Sequence, residues 1–239
     1  MASQITTLTF FKYKNLADQI WAFGMMQFAH SSLRKTEGLT FYKLLGTGRE
    51  GFDPRPDWSV YALLQVWETE DKADEFFRHS SLMKKYKKYS SENWTLFMRN
   101  KMARGKWDGN NPFAMHPGLA DEIPYIAVIT RATIKVKYLR RFWKSVPASQ
   151  RPLKENAGLM YTKGVGEVPY MQMATFSLWE NQKALDDFAY RSEEHIKVIG
   201  DTRTIGWYKE ELFSRFQPYR STGSWNGKNP LNFTASVPH

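Results

Sequence analysis

The sequence predicts an α+β protein: two tandem ferredoxin-like (βαββαβ) repeats packed against each other as an intramolecular pseudo-dimeric α+β barrel. The first observation is a Gly-x-Trp-x-Gly-x-x-Pro phrase that occurs twice, around Trp107 and again around Trp225. The second is that the same order of predicted elements precedes each copy. The third is that the 239 residues divide into two parts of ordinary domain size. An internal duplication accounts for all three observations.

The first repeat covers residues 1–118. It opens with an extended segment and a Trp-containing helix in 8–23, followed at 38–48 by a short strand that leads into a Gly-x-Gly turn. An alternating strand then ends in Trp-Glu and passes into a helix within 61–89, and a last strand follows at 93–99. The Gly-x-Trp phrase closes the repeat as a C-terminal tail.

The second repeat covers residues 119–239 and has the same order. An extended segment and a Trp-containing helix lie in 127–143, and a strand with a Gly-x-Gly turn lies in 158–166. A strand ending in Trp-Glu passes into a helix within 173–200, and the last strand lies in 206–216. This half is the one proposed to hold a cofactor, on grounds given below.

The packing of the two repeats follows from the central strands. The segments "YALLQVW" at 61–67 and "MATFSLW" at 173–179 are apolar at nearly every position, which is typical of strands that are buried on both faces. Helices cover one face of a ferredoxin-like sheet, so the other repeat must cover the second face. Trp107 and Trp225 are predicted to fill a seam beside each sheet.

Composition restricts the possible chemistry. A hydrophobic content of 42% with 15% aromatic residues is ample for a packed core. The absence of cysteine excludes disulfides, cysteine zinc sites, iron–sulfur clusters and a thiolate haem ligand. No secretory leader is apparent, and no apolar run approaches the roughly 20 residues that span a bilayer. We therefore expect a soluble, cytoplasmic protein.

The net charge of +10 favours anionic partners: nucleic acid, a membrane surface, an acidic protein or a carboxylate ligand. Basic residues alternate with aromatic ones in 83–88 and 135–141, a pattern typical of a solvated helix face. No nucleic-acid-binding motif accompanies it, so no nucleic-acid partner is expected.

Among five histidines, His195 stands out because it continues an apolar stripe of the last predicted helix. The stripe has steps of three and four residues and consists of Leu185, Phe188, Ser192, His195 and Ile199. Met83 occupies the equivalent place in the first repeat, as expected if only one half of a duplication keeps a ligand-capable side chain. Periodicity alone leaves two alternatives open: a metal ligand or a hydrogen-bonded core histidine.

The other histidines give weaker signals. His30 lies in the last turns of the first helix, where an imidazole can interact with the helix dipole. His79 precedes a helix break at Ser80, which is a new N-cap, and His116 lies in a Pro/Gly-rich linker. His239 is terminal. The hydrolase, phosphate-loop and metalloprotease motifs are absent from the sequence.

Several phrases together resemble one family, the spheroidene monooxygenases of carotenoid biosynthesis. They are "IWAFGMMQFA", "FYKLLGTGREGF", "ITRATIKVKYLRRFWKSVP", "GVGEVPYMQMATFSLW", "GWYKEELFSRF" and "GSWNGKNPL". The resemblance spans nearly the whole chain. It implies a haem-containing (heme b) enzyme that oxidises the end of an acyclic carotenoid to a ketone or an alcohol, with dioxygen and an external electron donor.

The resemblance also implies roles for three residues. His195 matches a histidine of the family pattern and is expected to be the proximal ligand of the haem iron. Arg131 and Arg141 match family positions and are expected to bind the haem propionates, since guanidinium pairs well with carboxylate. The alternatives are that Arg131 braces a sheet edge and that Arg141 is a solvated helix residue.

The implied partners are a hydrophobic carotenoid, dioxygen and a ferredoxin-type donor that docks on the basic surface, with peripheral contact to the inner face of a membrane. Two rival interpretations stay open. One is a haem enzyme of the same architecture with a peroxide-driven or haem-degrading reaction, because fold does not decide chemistry. The other is a cofactor-free module that binds a lipid or another small hydrophobic molecule.

Overall fold

The structure, a computed structural model, describes residues 3–49, 53–144, 156–191 and 206–231. Its strands are β1 (Ile5–Lys12), β2 (Leu39–Arg49), β3 (Asp53–Trp67), β4 (Glu92–Gly105), β5 (Ile126–Ile134), β6 (Leu159–Val168), β7 (Gln172–Trp179) and β8 (Tyr208–Gly223). The helices are α1 (Leu16–Phe28), α2 (His30–Leu33), α3 (Glu70–His79), α4 (Ser81–Tyr89) and α5 (Gln182–Arg191). A 3-10 turn, Val136–Tyr138, leads into helical residues 139–144.

The strands close into one antiparallel barrel in the order β1-β3-β2-β6-β7-β5-β8-β4, and β4 pairs back with β1. This confirms the prediction of a mixed α and β protein built on a closed antiparallel barrel. Strands β1 to β4 are contiguous in the ring, and so are β5 to β8. The two halves of the chain therefore meet at two seams, β4–β8 and β2–β6.

The two seams differ greatly in length. The β4–β8 ladder runs from the pair Trp94↔Gly223 to the pair Gly105↔Leu212. The β2–β6 ladder, as described, consists of Gly46↔Gly166 and its neighbour Thr47↔Val165.

The glycines of the short seam correct one prediction. Gly46 and Gly48 were expected to form a turn after a short strand, but both lie within β2, and Gly166 lies within β6. The reason is that these strands continue past the first glycine to reach each other, with a register shift between Gly46 and Gly48. A register shift of this kind marks a β-bulge, a feature that glycine accommodates well.

Side chains of β3 alternate between two cores. Leu64 and Val66 belong to the barrel interior, whereas Leu63 and Trp67 belong to a second core outside the barrel. All four are almost completely buried. The prediction that this strand is buried on both faces is confirmed.

The outer core of the first half is closed by its four helices. Asn15 caps α1 by accepting a hydrogen bond from the Asp18 amide at 2.9 Å. Ser80 ends α3 and caps α4 by accepting from the amides of Leu82 and Met83, which confirms the predicted helix break. Met83, the first-repeat equivalent of His195, is buried in this core.

Helix α5 packs on the outer face of β7. Leu185 is buried there, and the Phe188 ring lies 5.2 Å from the Trp179 ring. These contacts confirm that the predicted stripe faces the sheet at its first two positions. The rest of the stripe, which includes His195, lies outside the described residues.

Both Gly-x-Trp tails fold back as tight turns. Trp107 bridges to Asn110, and Trp225 bridges to Lys228. The two indoles are buried and belong to the core of the barrel interior, rather than to a seam beside each sheet as predicted. The turns deliver them there because each tail continues directly from the last strand of its half.

Replacing Gly223 with alanine is expected to destabilise the protein by more than 2 kcal/mol, roughly the range of substitutions at special backbone conformations. Its φ is +84°, and an added Cβ would lie 2.1 Å from the Asn93 carbonyl oxygen. Gly227→Ala is the matched control, because its φ is +77° but nothing lies within 4 Å. That control is expected to cost only about 1 kcal/mol. Urea unfolding of both variants measures the difference, and equal losses would contradict the steric explanation.

Candidate functional site

The outer faces of the two half-sheets differ in side-chain size. Strand register defines one row across the first half: Thr9, Leu63 and Leu44. The same register defines the matching row across the second half: Thr130, Thr175 and Gly164. Two buried leucines of the first half therefore correspond to a threonine and a glycine in the second.

The next row shows the same difference. Tyr42 pairs with Gln65 in the first half, and Thr162 pairs with Ser177 at the matching positions of the second. The second half thus carries a patch of small side chains on its outer surface. We call this patch the small-residue face, and its members are Thr130, Thr162, Gly164, Thr175 and Ser177. Its threonine and serine side chains range from half-buried to exposed.

The small-residue face lies on the same side of the sheet as α5. Ile126 and Val128 share the outer face of β5 with Thr130, and they pack in one cluster with Trp179 and Leu185. The apolar stripe of α5 therefore starts beside this face. Its predicted continuation contains His195. His195 itself is outside the described residues, so its role as a ligand stays a prediction.

Arg131 lies on the opposite face of β5, inside the barrel, where its side chain is only 2% exposed. Its guanidinium donates to the Glu210 carboxylate and lies over the Trp107 ring, 5.6 Å from the centroid. Asp108 and Glu167 approach it at 4.0 Å. The structure thus gives Arg131 carboxylate partners from this chain and does not bring it to the small-residue face. Its role as a propionate partner stays a prediction.

Arg141 is exposed, in the helical segment 139–144. Two of the histidines that gave weaker signals, His30 and His116, make hydrogen bonds within the protein. His30 forms a 3.0 Å hydrogen bond between Nδ1 and the Tyr42 hydroxyl, and His116 accepts from the Gly118 amide at 2.9 Å. Burial and the nearby Arg99 lower the pKa of His116. Within the described ranges, no group of three or more histidine and carboxylate side chains is placed to hold a metal ion.

Two glutamates anchor the tail turns, and each belongs to the opposite half. Glu210 accepts hydrogen bonds from the amides of Asp108 and Gly109 at 3.1 and 2.7 Å. Glu92 accepts from the amides of Asn226 and Gly227 at 3.2 and 2.7 Å. Sequence reasoning missed this pair. The signal was available, because the two glutamates are separated by the same interval as Trp107 and Trp225.

The charge of each anchor is stabilised by its surroundings. The amide of Gly227 is the main cause that lowers the pKa of Glu92. Burial raises the pKa of Glu210, but the amides of Gly109 and Asp108 and the guanidinium of Arg131 outweigh it, so the pKa is lowered. Both carboxylates are therefore ionised at neutral pH and accept hydrogen bonds as anions.

A cavity of about 200 Å³ lies over the short β2–β6 seam, outside the barrel. We call it the seam cavity. Its walls come from α1, β2, β3, β6 and β7 and from the turn between β6 and β7: Phe23, Met26, Gly46, Thr47, Gly48, Pro56, Asp57, Trp58, Tyr61, Val165, Gly166, Glu167, Pro169 and Met173. Sequence reasoning missed this site because its walls come from five elements in both halves.

The seam cavity borders the small-residue face. Gly166 lies on the same face of β6 as Gly164, and Met173 lies on the same face of β7 as Thr175, because residues two apart share a strand face. An apolar cavity and a sheet surface of small side chains thus adjoin on the outer side of the second half. Together they form the candidate functional site.

Solved structures with the same architecture define the class of protein. A crystal structure of aldoxime dehydratase in complex with butyraldoxime has a TM-score of 0.61 and 9% identity, covering 90% of this chain and 79% of that one. Another aldoxime dehydratase structure has a TM-score of 0.60 and 11% identity, covering 90% and 81%. At these identities the likeness concerns the fold alone: the chain is an α+β barrel protein of that architecture.

Sequence relatives identify the family. The spheroidene monooxygenase of Cereibacter sphaeroides is 34% identical over 230 residues, which covers 95% of this chain and 71% of the relative. That of Rhodobacter capsulatus is 33% identical over 230 residues, which covers 95% of both chains. The chain belongs to the spheroidene monooxygenase family and is therefore an oxidoreductase of the monooxygenase class. No protein-family model matches it. None of the described helices is long and apolar enough to cross a membrane.

Proposed function

We propose that the protein is a haem-dependent monooxygenase that oxidises the end group of an acyclic carotenoid, by 2-ketolation or hydroxylation, with dioxygen and an external electron donor. One observation carries this proposal: identity of 33–34% over 95% of the chain to enzymes named for spheroidene. The seam cavity supports it, because an apolar wall suits a hydrocarbon substrate.

We also propose that the chain is a duplicated ferredoxin-like unit. The ring order supports this, since β4-β1-β3-β2 in one half corresponds to β8-β5-β7-β6 in the other. The equivalent anchors Glu92 and Glu210 support it as well. Strands β2 and β6, and likewise β4 and β8, are antiparallel neighbours, as a two-fold relation between the halves requires.

The small-residue face fits a haem. A porphyrin is flat and needs a sheet surface without large side chains, and this face has threonine, serine and glycine where the first half has leucine, tyrosine and glutamine. His195 would hold the haem iron, and the exposed Arg141 would pair with a haem propionate. When bound, the haem would supply the iron centre at which dioxygen is activated.

The side chains of this chain would then bind and orient the substrate. The seam cavity would hold the apolar end of the carotenoid beside the small-residue face, and its aromatic wall would exclude water from the reacting carbon. The Arg131–Glu210 pair would keep the tail turn closed on the barrel end, away from this face.

The proposal also includes peripheral contact with a membrane and docking of a ferredoxin-type electron donor. Leu16, Ile20 and Phe23 are 71%, 63% and 57% exposed on α1, an unusual apolar surface for a helix that faces solvent. The net charge of +10 favours both an anionic membrane and an acidic donor.

A second candidate function is a cofactor-free module that binds a small hydrophobic molecule. The seam cavity favours it, since an apolar wall suits an uncharged hydrophobic ligand of any kind. The two functions differ in whether the protein takes up haem.

The test is an absorption spectrum of the protein after addition of hemin, for the wild type and for His195→Ala, together with turnover of spheroidene by oxygen and a reduced ferredoxin. The wild type is expected to show a strong Soret band and to form an oxidised product, and the variant is expected to lose or shift the band. His79→Ala is the matched control and keeps both properties. If no Soret band forms with added hemin, the haem enzyme is rejected and the cofactor-free binding module is supported.

A further inference from the structure

Arg215 lies on the outer face of β8, at the edge of the small-residue face. Its neighbour Phe216 belongs to the barrel interior, so strand alternation turns Arg215 outward. The strand register aligns it with Val128 of β5, Ser177 of β7 and Thr162 of β6 in one row across the second half. The last two belong to the small-residue face. Neighbouring strands are about 4.8 Å apart, so the row spans roughly 14 Å from β8 to β6.

The first half has an apolar side chain at the position equivalent to Arg215. Its row consists, in the same register, of Phe97, Thr7, Gln65 and Tyr42. Phe97 is 2% exposed and belongs to the outer core of the first half. Packing of a half-sheet therefore does not require a charged side chain at this place, and another role of the arginine has to account for it.

Arg215 differs from the other buried and partly buried arginines of the described ranges. Those three, Arg99, Arg131 and Arg220, each donate to a carbonyl or carboxylate oxygen of this chain. Neither a hydrogen bond nor an ion pair joins the Arg215 guanidinium to a described residue, and its Nε is shielded from solvent without a partner. The guanidinium lies over the Phe213 ring, 5.4 Å from the centroid. Cations in such surroundings are normally paired, so Arg215 points to an anion that the described residues do not supply.

The surroundings of Arg215 indicate what kind of anion fits. Guanidinium pairs with carboxylate through two parallel hydrogen bonds, and its planar fork fixes the direction of approach. The small-residue face beside it is uncharged, because its members carry a hydroxyl group or no side chain at all. A flat, largely apolar ligand with a carboxylate at its rim therefore matches both the sheet surface and the arginine at its edge.

We infer that Arg215 binds a carboxylate at the rim of the flat ligand on the small-residue face, and that in the haem-bound protein this carboxylate is a propionate. The inference deepens the proposed function and rests on it for the choice of haem. Haem carries two propionates, and the one assigned here differs from that proposed for Arg141. With its carboxylate edge at β8, the ligand extends over β5 and β7 and ends over β6, beside the seam cavity. Arg215 thus sets which edge of the ligand faces the cavity.

The test uses two fluorescent probes that need no iron ligand: metal-free protoporphyrin IX, which has two propionates, and its dimethyl ester, which has the same ring without the charges. In a fluorescence titration, Arg215→Met is expected to weaken protoporphyrin binding about tenfold or more, as for the loss of a charge-assisted hydrogen-bonded pair. The same variant is expected to bind the ester as tightly as the wild type does. Arg215→Lys keeps the charge without the planar fork and is expected to be intermediate for protoporphyrin.

Arg34→Met is the matched control, because it removes the same charge from an exposed position in the first half, and it is expected to leave both affinities unchanged. The urea midpoint of ligand-free Arg215→Met is expected to equal or exceed that of the wild type, since no described residue loses a partner. A lowered midpoint together with equal weakening of both porphyrins would show that Arg215 acts through packing, and the inference would be rejected. Unchanged protoporphyrin binding by Arg215→Met, or no binding by the wild type, would reject it as well.

Failure of the inference is distinguishable from failure of the proposed function. If the wild type with hemin oxidises spheroidene while Arg215→Met binds both porphyrins as the wild type does, the carboxylate site is rejected and the proposed function stands. If protoporphyrin binding depends on Arg215 but the protein with added hemin oxidises no carotenoid, the enzyme is rejected and the carboxylate site stands.

Discussion

Replacing Arg131 with methionine is expected to lower the free energy of unfolding by about 3–5 kcal/mol, the usual cost of removing one partner of a buried ion pair. The guanidinium is 2% exposed and pairs with Glu210. Without it, the partners left to the Glu210 carboxylate among the described residues are the two backbone amides of the tail turn. Urea denaturation at pH 7 followed by tryptophan fluorescence measures the loss.

The pH dependence and a double variant make this prediction specific. The folded-state pKa of Glu210 is lowered, so the stability it contributes is present above its unfolded pKa and is lost as pH falls through the folded value. The loss in Arg131→Met should therefore be full at pH 7 and shrink below about pH 4. In Arg131→Met with Glu210→Gln, the two losses should fall short of additive by roughly 0.5–3 kcal/mol. Strict additivity would contradict the ion-pair explanation.

Replacing Trp94 with alanine is expected to cost about 3–5 kcal/mol, as for other large buried aromatic residues. Trp94 is 0% exposed at one end of the barrel interior. Its ring stacks on Phe10 at 5.8 Å, packs edge-on against Tyr161 at 5.1 Å, and lies 6.5 Å from Trp225. The variant leaves a cavity among rings that come from both halves of the chain, so the whole barrel should lose stability.

Trp58→Ala is the matched control, since that tryptophan is 51% exposed and lies in the wall of the seam cavity, outside the barrel. Its expected loss is within about 1 kcal/mol. Thermal unfolding of both variants compares them. A loss of similar size in Trp58→Ala would show that the rim packing is as important as the barrel interior.

The architecture could be predicted because local signals agreed with one another. The apolar run ending at Trp67 recurs at Trp179, and both end in Trp-Glu before a helix, so element order was readable from periodicity. The break at Ser80 was predictable as well, because a serine N-cap acts within its own turn.

The site was less accessible because it depends on contacts between distant segments. The propionate role that the family resemblance implies for Arg131 stays a prediction, and the structure adds a partner that the sequence did not reveal, Glu210 inside the barrel. In the first half, Phe10 of β1 holds the register position that corresponds to Arg131 in β5. The contrast between Leu63 and Thr175 is visible in the aligned segments, but the strand pairing is needed to place Leu44 and Gly164 beside them on one face.

Because the two seams differ in length, the free energy needed to open them also differs. Separating β4 from β8 breaks a ladder that extends over most of both strands, whereas separating β2 from β6 breaks, among the described residues, the pairs of Gly46 and Thr47 and the Lys43–Glu167 ion pair. Local opening follows the smallest loss of contacts, so its free energy is lowest at the short seam. The long β4–β8 ladder is therefore expected to stay paired under conditions in which the short β2–β6 seam has already opened.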